Sequence, residues 1–415
     1  MEQNSTARWS LAKRFALLFL TVYCFFLFFD FTSSDEIFPP IVYKIMRPYA
    51  NFWDGFVEWT GKHLLDLPPI TVKPNGSGDT TYNYVMQLLW VVLAVLIALV
   101  WALLDRKRPG YNQLYQWLRI CIRYYFAFTL FSYGFVKIIK LQFPYPSLYK
   151  LVEPFGNSSP MGLAWSFIGY SKGFNWFIGG AECLAGALLF FRRTTLAGAL
   201  LALVVMSNVA AMNLFYDIPV KIFSLNLFFL SLILIAHDAD RIKALLFQRG
   251  VSPSRRRWGR IVQMSLKVLF IFLALYYTLW RAIGYIGQYG DDVAKPPLYG
   301  IYDVEQYSRS NNVADSIRWK KLIIAYPNRA RIINRLDTVM RVECNVDTVH
   351  RIATFKTPAE HQYQLAYTSP DKDHLLLTGG IAGDSVRILM RRFDISRFPL
   401  VSRGFHWVNE YPLNR

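Results

Sequence analysis

A bundle of about seven membrane-spanning helices followed by an antiparallel β domain is the fold class this sequence predicts, and three observations predict it. Seven apolar stretches approach the length needed to cross a bilayer, short basic clusters lie beside alternate ones, and beyond about residue 318 the apolar period falls from helical to two.

Composition agrees. Aromatic residues make up 17% and charged residues 18% of the 415-residue chain, against roughly 25% charged in an ordinary soluble domain. So little polar surface would leave a soluble protein of this length poorly covered, and a lipid bilayer hides the excess. The formal net charge of +18 would ordinarily point to nucleic acid. Here, however, Lys and Arg collect beside apolar runs, as the positive-inside rule expects, so nucleic acid is set aside as a partner.

The seven stretches are about Phe15–Phe31, Tyr82–Leu104, Leu118–Ile139, Phe174–Phe191, Thr194–Asn213, Ile222–Ala236 and Ile261–Tyr285. A spanning helix needs roughly 20 mostly apolar residues, because hydrocarbon offers its backbone no partner. The sixth is the shortest. The first stands where a secretion signal would, but its apolar run is long and no small-residue cleavage site precedes Asp30, Asp35 and Glu36, so it reads as an uncleaved anchor. Basic clusters fall at Arg8, Lys13 and Arg14, at Arg106–Arg108, at Arg192 and Arg193, and from Arg241 to Arg260 with the run Arg255–Arg257. With seven helices all four share one side, expected to be the cytoplasm, which leaves 32–81, 140–173 and everything beyond about 286 outside. Trp117, Trp176, Trp258 and Trp280 stand near helix ends, where amphipathic rings prefer the interface. Segment 41–65, with Tyr43, Met46, Phe52, Trp53, Phe56 and Trp59 among charges, reads as a surface helix, and Asn75-Gly-Ser-Gly-Asp79 as a flexible linker.

This divides the chain into two N-terminal helices with an outer loop (1–110), a four-helix bundle (111–245), a basic loop with a seventh helix (246–290) and an extracytoplasmic β-rich domain (291–415). In that domain Met340, Val342, Cys344 and Val346 alternate with Arg341, Glu343 and Asn345, which marks a strand with one buried face. Looser patterns run through Lys321–Ala325, Arg351–Phe355, Gln362–Tyr367, Leu375–Thr378, Val386–Arg392 and Leu400–Val408, punctuated by Ser369-Pro-Asp-Lys372 and Gly379-Gly-Ile-Ala-Gly383. About seven short strands imply a sandwich or a small barrel, and side chains would fill most of so small a barrel. The aromatic tail Arg403–Arg415 reads as a last strand with a tied-down end, or as a contact surface.

Charged groups in membrane helices cost about 2.5 kcal/mol or more at mid-depth, so each asks for a partner. Glu182 is the clearest, with Gly179 at i−3 and Gly186 at i+4 on one helix stripe, where small residues let a neighbouring helix approach. Helix three offers Arg123 toward the cytoplasmic end and Lys137 toward the outer end, either of which would have to extend toward Glu182, and Tyr133 adds a hydroxyl. Asn208 and Asn226 contribute amides in the outer half, and Asn213, Asp217 and Lys221 surround the outer turn Tyr216-Asp-Ile-Pro219. Arg123, Tyr133, Lys137, Glu182, Asn208 and Asn226 are therefore the candidate ligand-binding residues. The same groups would equally serve as a network fixing helix register.

His237, Asp238 and Asp240 imitate a metal site at a helix end, but two carboxylates and one imidazole do not make a ligand set, so no metal is expected. The four cysteines show no CxxC, which points away from a structural disulfide or a dithiol relay. No nucleophile elbow, phosphate loop or paired-carboxylate motif is present.

The stretch from about Arg119 to Arg241 resembles the DoxX family of four-helix membrane proteins. The resemblance rests on Arg123, Gly134 and Lys137 in one helix, then Gly179-Gly-Ala-Glu182, Gly186, Leu188-Leu189 and Arg193-Thr194. It covers about three-tenths of the chain; helices one, two and seven and the β domain lie beyond it. It implies a compact bundle in a bacterial cytoplasmic membrane and, for some members, thiosulfate:quinone oxidoreduction or a place in redox-protective complexes. With no flavin, haem or iron–sulfur motif in the chain, electron transfer would need a bound quinone or a partner subunit. Three functions follow: a quinone-linked redox subunit, an envelope assembly protein whose outer β domain binds a membrane or periplasmic partner, and a small-solute transporter. No inverted repeat supports the third.

Overall fold

The structure, a computed structural model, describes residues 9–30, 40–70, 78–239, 260–291, 293–311 and 314–402. In chain order these form α1 (Leu11–Phe28), α2 (Pro40–His63), α3 (Thr81–Leu104), α4 (Asn112–Ile138), α5 (Leu148–Leu151), α6 (Pro160–Tyr170), α7 (Lys172–Phe190), α8 (Thr195–Phe215), α9 (Lys221–His237) and α10 (Arg260–Gly284). Eight strands follow: β1 (Gly300–Arg309), β2 (Trp319–Tyr326), β3 (Arg329–Asn334), β4 (Val339–Asp347), β5 (Ile352–Lys356), β6 (Gln362–Thr368), β7 (His374–Ile381) and β8 (Asp384–Arg392), with a last short helix α11 (Pro399–Ser402). Two compact units result: a helical one (Met1–Gln142, Pro160–Ala164, Ser171–Tyr285) and one built on the strands (Phe143–Ser159, Trp165–Tyr170, Ile286–Arg415).

In the helical unit, α1, α3, α7, α8 and the stretch Lys267–Gly284 of α10 are each long and apolar enough to cross a membrane. Their burial within the chain is low, 22% for α3 and 11% for the α10 stretch, so most of their apolar surface faces outward and requires lipid. The other two stretches predicted to span are helices as well. However, α9 has only 17 residues, and α4 is interrupted by Arg119, Arg123 and Lys137, so neither meets the same measure. The segment predicted as a surface helix is α2, whose Trp53 is buried against Phe26 and Trp90. Trp117, Trp176 and Trp280 are exposed. Arg8, Asp35, Glu36, residues 75–77, Asp240, the basic run 241–259 with Trp258, and the aromatic tail 403–415 lie outside the described residues.

The helix ends are tied locally. Thr80 and Asn83 form a capping box at the start of α3, which satisfies amides that have no partner within the helix. The Asp79 carboxylate accepts from the amides of Lys221 at 2.7 Å and Ile222 at 3.0 Å, closing the N-terminus of α9 where a negative charge is favoured. At the opposite end of the bundle the buried Arg14 guanidinium donates to the carbonyls of Arg106 at 3.3 Å and Arg108 at 2.8 Å. Nearby, Arg119 meets Asp238 at 3.5 Å and the His237 ring meets the Tyr115 hydroxyl at 3.1 Å. The basic ends of α1, α3, α4 and α9 therefore gather at one end of the helical unit.

The strands close into an antiparallel barrel in which β1 pairs with both β2 and β8. Closure removes the exposed edges that a sandwich would leave. Trp319, Phe355, Leu365, Leu377, Ile388 and Met390 are among the buried residues that fill the interior, as eight strands allow. Outside the barrel, Leu148 and Tyr149 of α5 pack on Ile301, Ile323 and Ala325, so β2 is buried on both faces from Leu322 to Ala325.

Several strand expectations need correction. β1 and β3 were not predicted: β1 carries a bulge between Val304 and Gln306 that breaks its period, and in β3 the adjacent Ile332 and Ile333 are apolar on both faces, which breaks the alternation. The expected strand Leu400–Val408 begins inside α11 and continues beyond the described residues. Met340, assigned to the core by alternation, is 36% exposed, because it stands near the start of β4 at the mouth of the barrel, whereas Val342 and Cys344 are buried.

The turn before β7 contains a titrating site. Asp371 accepts from the amides of Asp373 and His374 and from the His374 ring at 2.8 Å, while the other ring nitrogen of His374 lies 3.3 Å from Glu305. The hydrogen bond to Asp371 is the main cause that raises His374 above its ordinary value of 6.5. A raised value means that the folded state favours the imidazolium. The contribution is complete below the unfolded value and is lost as pH rises through the folded one. A nuclear magnetic resonance titration of His374 should have its midpoint above that of an unfolded histidine, and Asp371→Asn should lower it. A midpoint unchanged by Asp371→Asn would show that the contact does not form in solution.

Candidate functional site

The candidate site forms where α4 crosses α7, the most extensive helix contact among the described residues. Glycines make the crossing close: a Cβ on Gly179 would lie 2.6 Å from the carbonyl oxygen of Gly134, and one on Gly186 would lie 3.0 Å from that of Ala127. No larger residue fits at Gly134 or Gly179 without separating the helices. Each glycine precedes its ionisable residue by three positions, Gly134 before Lys137 and Gly179 before Glu182. The helices run antiparallel, so Lys137 and Glu182 stand on opposite sides of the glycine contact, and the lysine side chain reaches back along the crossing to the carboxylate.

Lys137 Nζ donates to Oε1 of Glu182 at 2.9 Å and to Oε2 at 2.8 Å, with side chains only 8% and 2% exposed. Both carboxylate oxygens are thus engaged by one cation, the arrangement that offsets desolvation of the two charges. Tyr133, one turn before Lys137, has its ring centroid 5.3 Å from the ammonium and is itself 41% exposed on the helix surface.

The remaining predicted residues go elsewhere. Arg123 lies level with the C-terminal end of α7, about two turns along the crossing from Glu182. It donates instead to the carbonyls of Leu189 at 3.1 Å and Phe190 at 3.2 Å, closing the C-terminal end of α7. Asn208 is exposed on α8. Asn226 joins a second polar group: Tyr23 Oη donates to its Oδ1, Gln87 Nε2 donates to Tyr23 Oη, and Asn226 Nδ2 donates to Gln87 Oε1 at 3.4 Å. This ring of three bonds links α1, α3 and α9. Its members Tyr23 and Gln87 were missed by sequence reasoning, although an amide within so apolar a helix as α3 was the available signal.

Among the described residues no group of three or more His, Cys, Asp or Glu side chains could hold a metal ion. The four cysteines are free, and burial pushes the Cys344 thiol up to about 12, which makes it a poor nucleophile.

Fold and site together define a multi-pass membrane protein with a closed β-barrel after its last described apolar helix. No protein-family model matches the chain, and neither does any solved structure. Over 129 residues it is 31% identical to the uncharacterized protein YwoB of Bacillus subtilis (strain 168), a match spanning 31% of this chain and 82% of that protein. The chain belongs to the family of that protein, whose name assigns no activity.

Proposed function

We propose that this chain is a DoxX-like protein of the bacterial cytoplasmic membrane, in which the helical unit is a register-locked anchor and the extracytoplasmic barrel engages a partner of the cell envelope. The observation that carries this reading is the double hydrogen bond from Lys137 to Glu182 inside a glycine crossing. The most suggestive group in the bundle is satisfied by its neighbour, which favours the structural role. The DoxX resemblance is compatible with this, since Gly134, Lys137, Gly179, Glu182 and Gly186 are the residues that meet there. The filled barrel interior leaves the outer surface for binding. The basic helix ends gathered at one end of the bundle support a cytoplasmic N-terminus and an external barrel.

A membrane-impermeant maleimide should label Ser310→Cys in intact cells above the background of the native cysteines, and a Lys137→Met/Glu182→Leu double variant should still rescue a deletion strain. Labelling only after permeabilisation would overturn the orientation. Loss of rescue by a normally expressed double variant would place the function in the bundle. That outcome is what a second reading expects, in which a quinone head group docks from lipid beside Tyr133, whose exposed ring adjoins the Lys137 ammonium. Quinone retained by the native chain and lost from Tyr133→Phe would favour it.

A further inference from the structure

A cleft of about 590 Å³ opens on the outer face of β3, β4 and β5, under Tyr149. Its floor is a ladder of charged residues whose order is fixed by strand register. Arg329 stands opposite Glu343, and Glu343 opposite Lys356, so that carboxylate is placed between two cations in the register. Glu360 lies 3.9 Å from Lys356. One step along, Arg331 stands directly opposite Arg341. Like charges facing each other across an antiparallel pair are destabilising, and among the described residues neither guanidinium has a carboxylate partner.

Arg331 is also held in place. The Arg331 guanidinium lies 4.3 Å from the ring centroid of Tyr149, which is itself buried, and the Tyr149 hydroxyl donates to the Arg329 carbonyl at 3.0 Å. A guanidinium stacked on an aromatic ring keeps its N–H fork pointing past the ring, and two forks on adjacent strands present the donors that a tetrahedral oxyanion accepts. The repulsion, the stacking and the cleft all ask for the same occupant.

We propose that this cleft binds a phosphate group, gripped by Arg331 and Arg341 with Arg329 and Lys356 at its flank. The inference rests on the reading of the barrel as the binding module, and it names what that module recognises: the phosphate of an anionic lipid or of a free phosphate-bearing solute.

The test uses the full chain in phosphatidylcholine nanodiscs, titrated with inorganic phosphate and, separately, with soluble short-chain phosphatidylglycerol. Saturable binding of at least one probe is expected, weakened at least tenfold by Arg331→Gln and by Arg341→Gln. Arg387→Gln, which removes one exposed positive charge from β8, should leave the affinity within twofold. Tighter binding of phosphatidylglycerol than of inorganic phosphate identifies a lipid headgroup; equal binding identifies a free phosphate. Absence of saturable binding by either probe at millimolar concentration, or equal weakening by Arg387→Gln, overturns the proposal. Neither result touches the rescue by the double variant, so the site fails separately from the function of the barrel.

Discussion

Glu182→Leu is expected to destabilise the chain by about 3–5 kcal/mol, because it leaves the Lys137 ammonium buried without its counter-charge. Lys137→Met should cost a similar amount for the converse reason. The double variant Lys137→Met/Glu182→Leu should recover most of the loss, since two apolar side chains of similar volume remove both charges together. The side chains are 8% and 2% exposed, so solvent screening is slight and the coupling should be large. Thermal unfolding of the four proteins in one detergent completes the cycle. Additive losses in the double variant would mean that the two residues do not stabilise each other.

Val342→Asp is expected to unfold the barrel, because it places a carboxylate among the apolar side chains of Ala330, Cys344 and Phe355. The cost of several kcal/mol compares with a total stability of about 5–15 kcal/mol for an ordinary domain. Met340→Asp, two residues earlier on the same strand face, should cost at most about 1 kcal/mol, since that side chain already stands 36% exposed at the mouth of the barrel. Glu343→Gln, on the outer face, should be nearly silent for folding. Hydrogen exchange followed by mass spectrometry distinguishes these cases in the full chain. Val342→Asp should lose protection throughout 300–392 while the helical peptides keep theirs. Protection retained in Val342→Asp, or lost equally in Met340→Asp, would show that the interior face is misassigned.

These contrasts mark how far the sequence could be read. Alternation in β4 identified the buried pair Val342 and Cys344, because a two-residue period is a property of the chain alone. It misplaced Met340, because the period continues to the strand end whereas the interior does not. β2 shows the opposite case. Ile323 and Ala325 belong to the outward face, yet both are buried, because α5 from a distant part of the sequence covers them. A bulge hid β1, and nothing in its local pattern announces that this strand closes the barrel against β8.

By itself the sequence determined that the helices need lipid, that a glycine stripe accompanies Glu182, and that the C-terminal region forms strands with one buried face. Composition and periodicity are properties of consecutive residues and survive without knowledge of the neighbours. Only the tertiary structure decided that Lys137 rather than Arg123 meets Glu182, that Asn226 joins Tyr23 and Gln87, and that Arg331 faces Arg341. Each of those depends on the height at which one element passes another. Periodicity states which face a residue occupies, and height is fixed only when the backbones touch, here through Gly134 against Gly179 and through the register of β3 on β4.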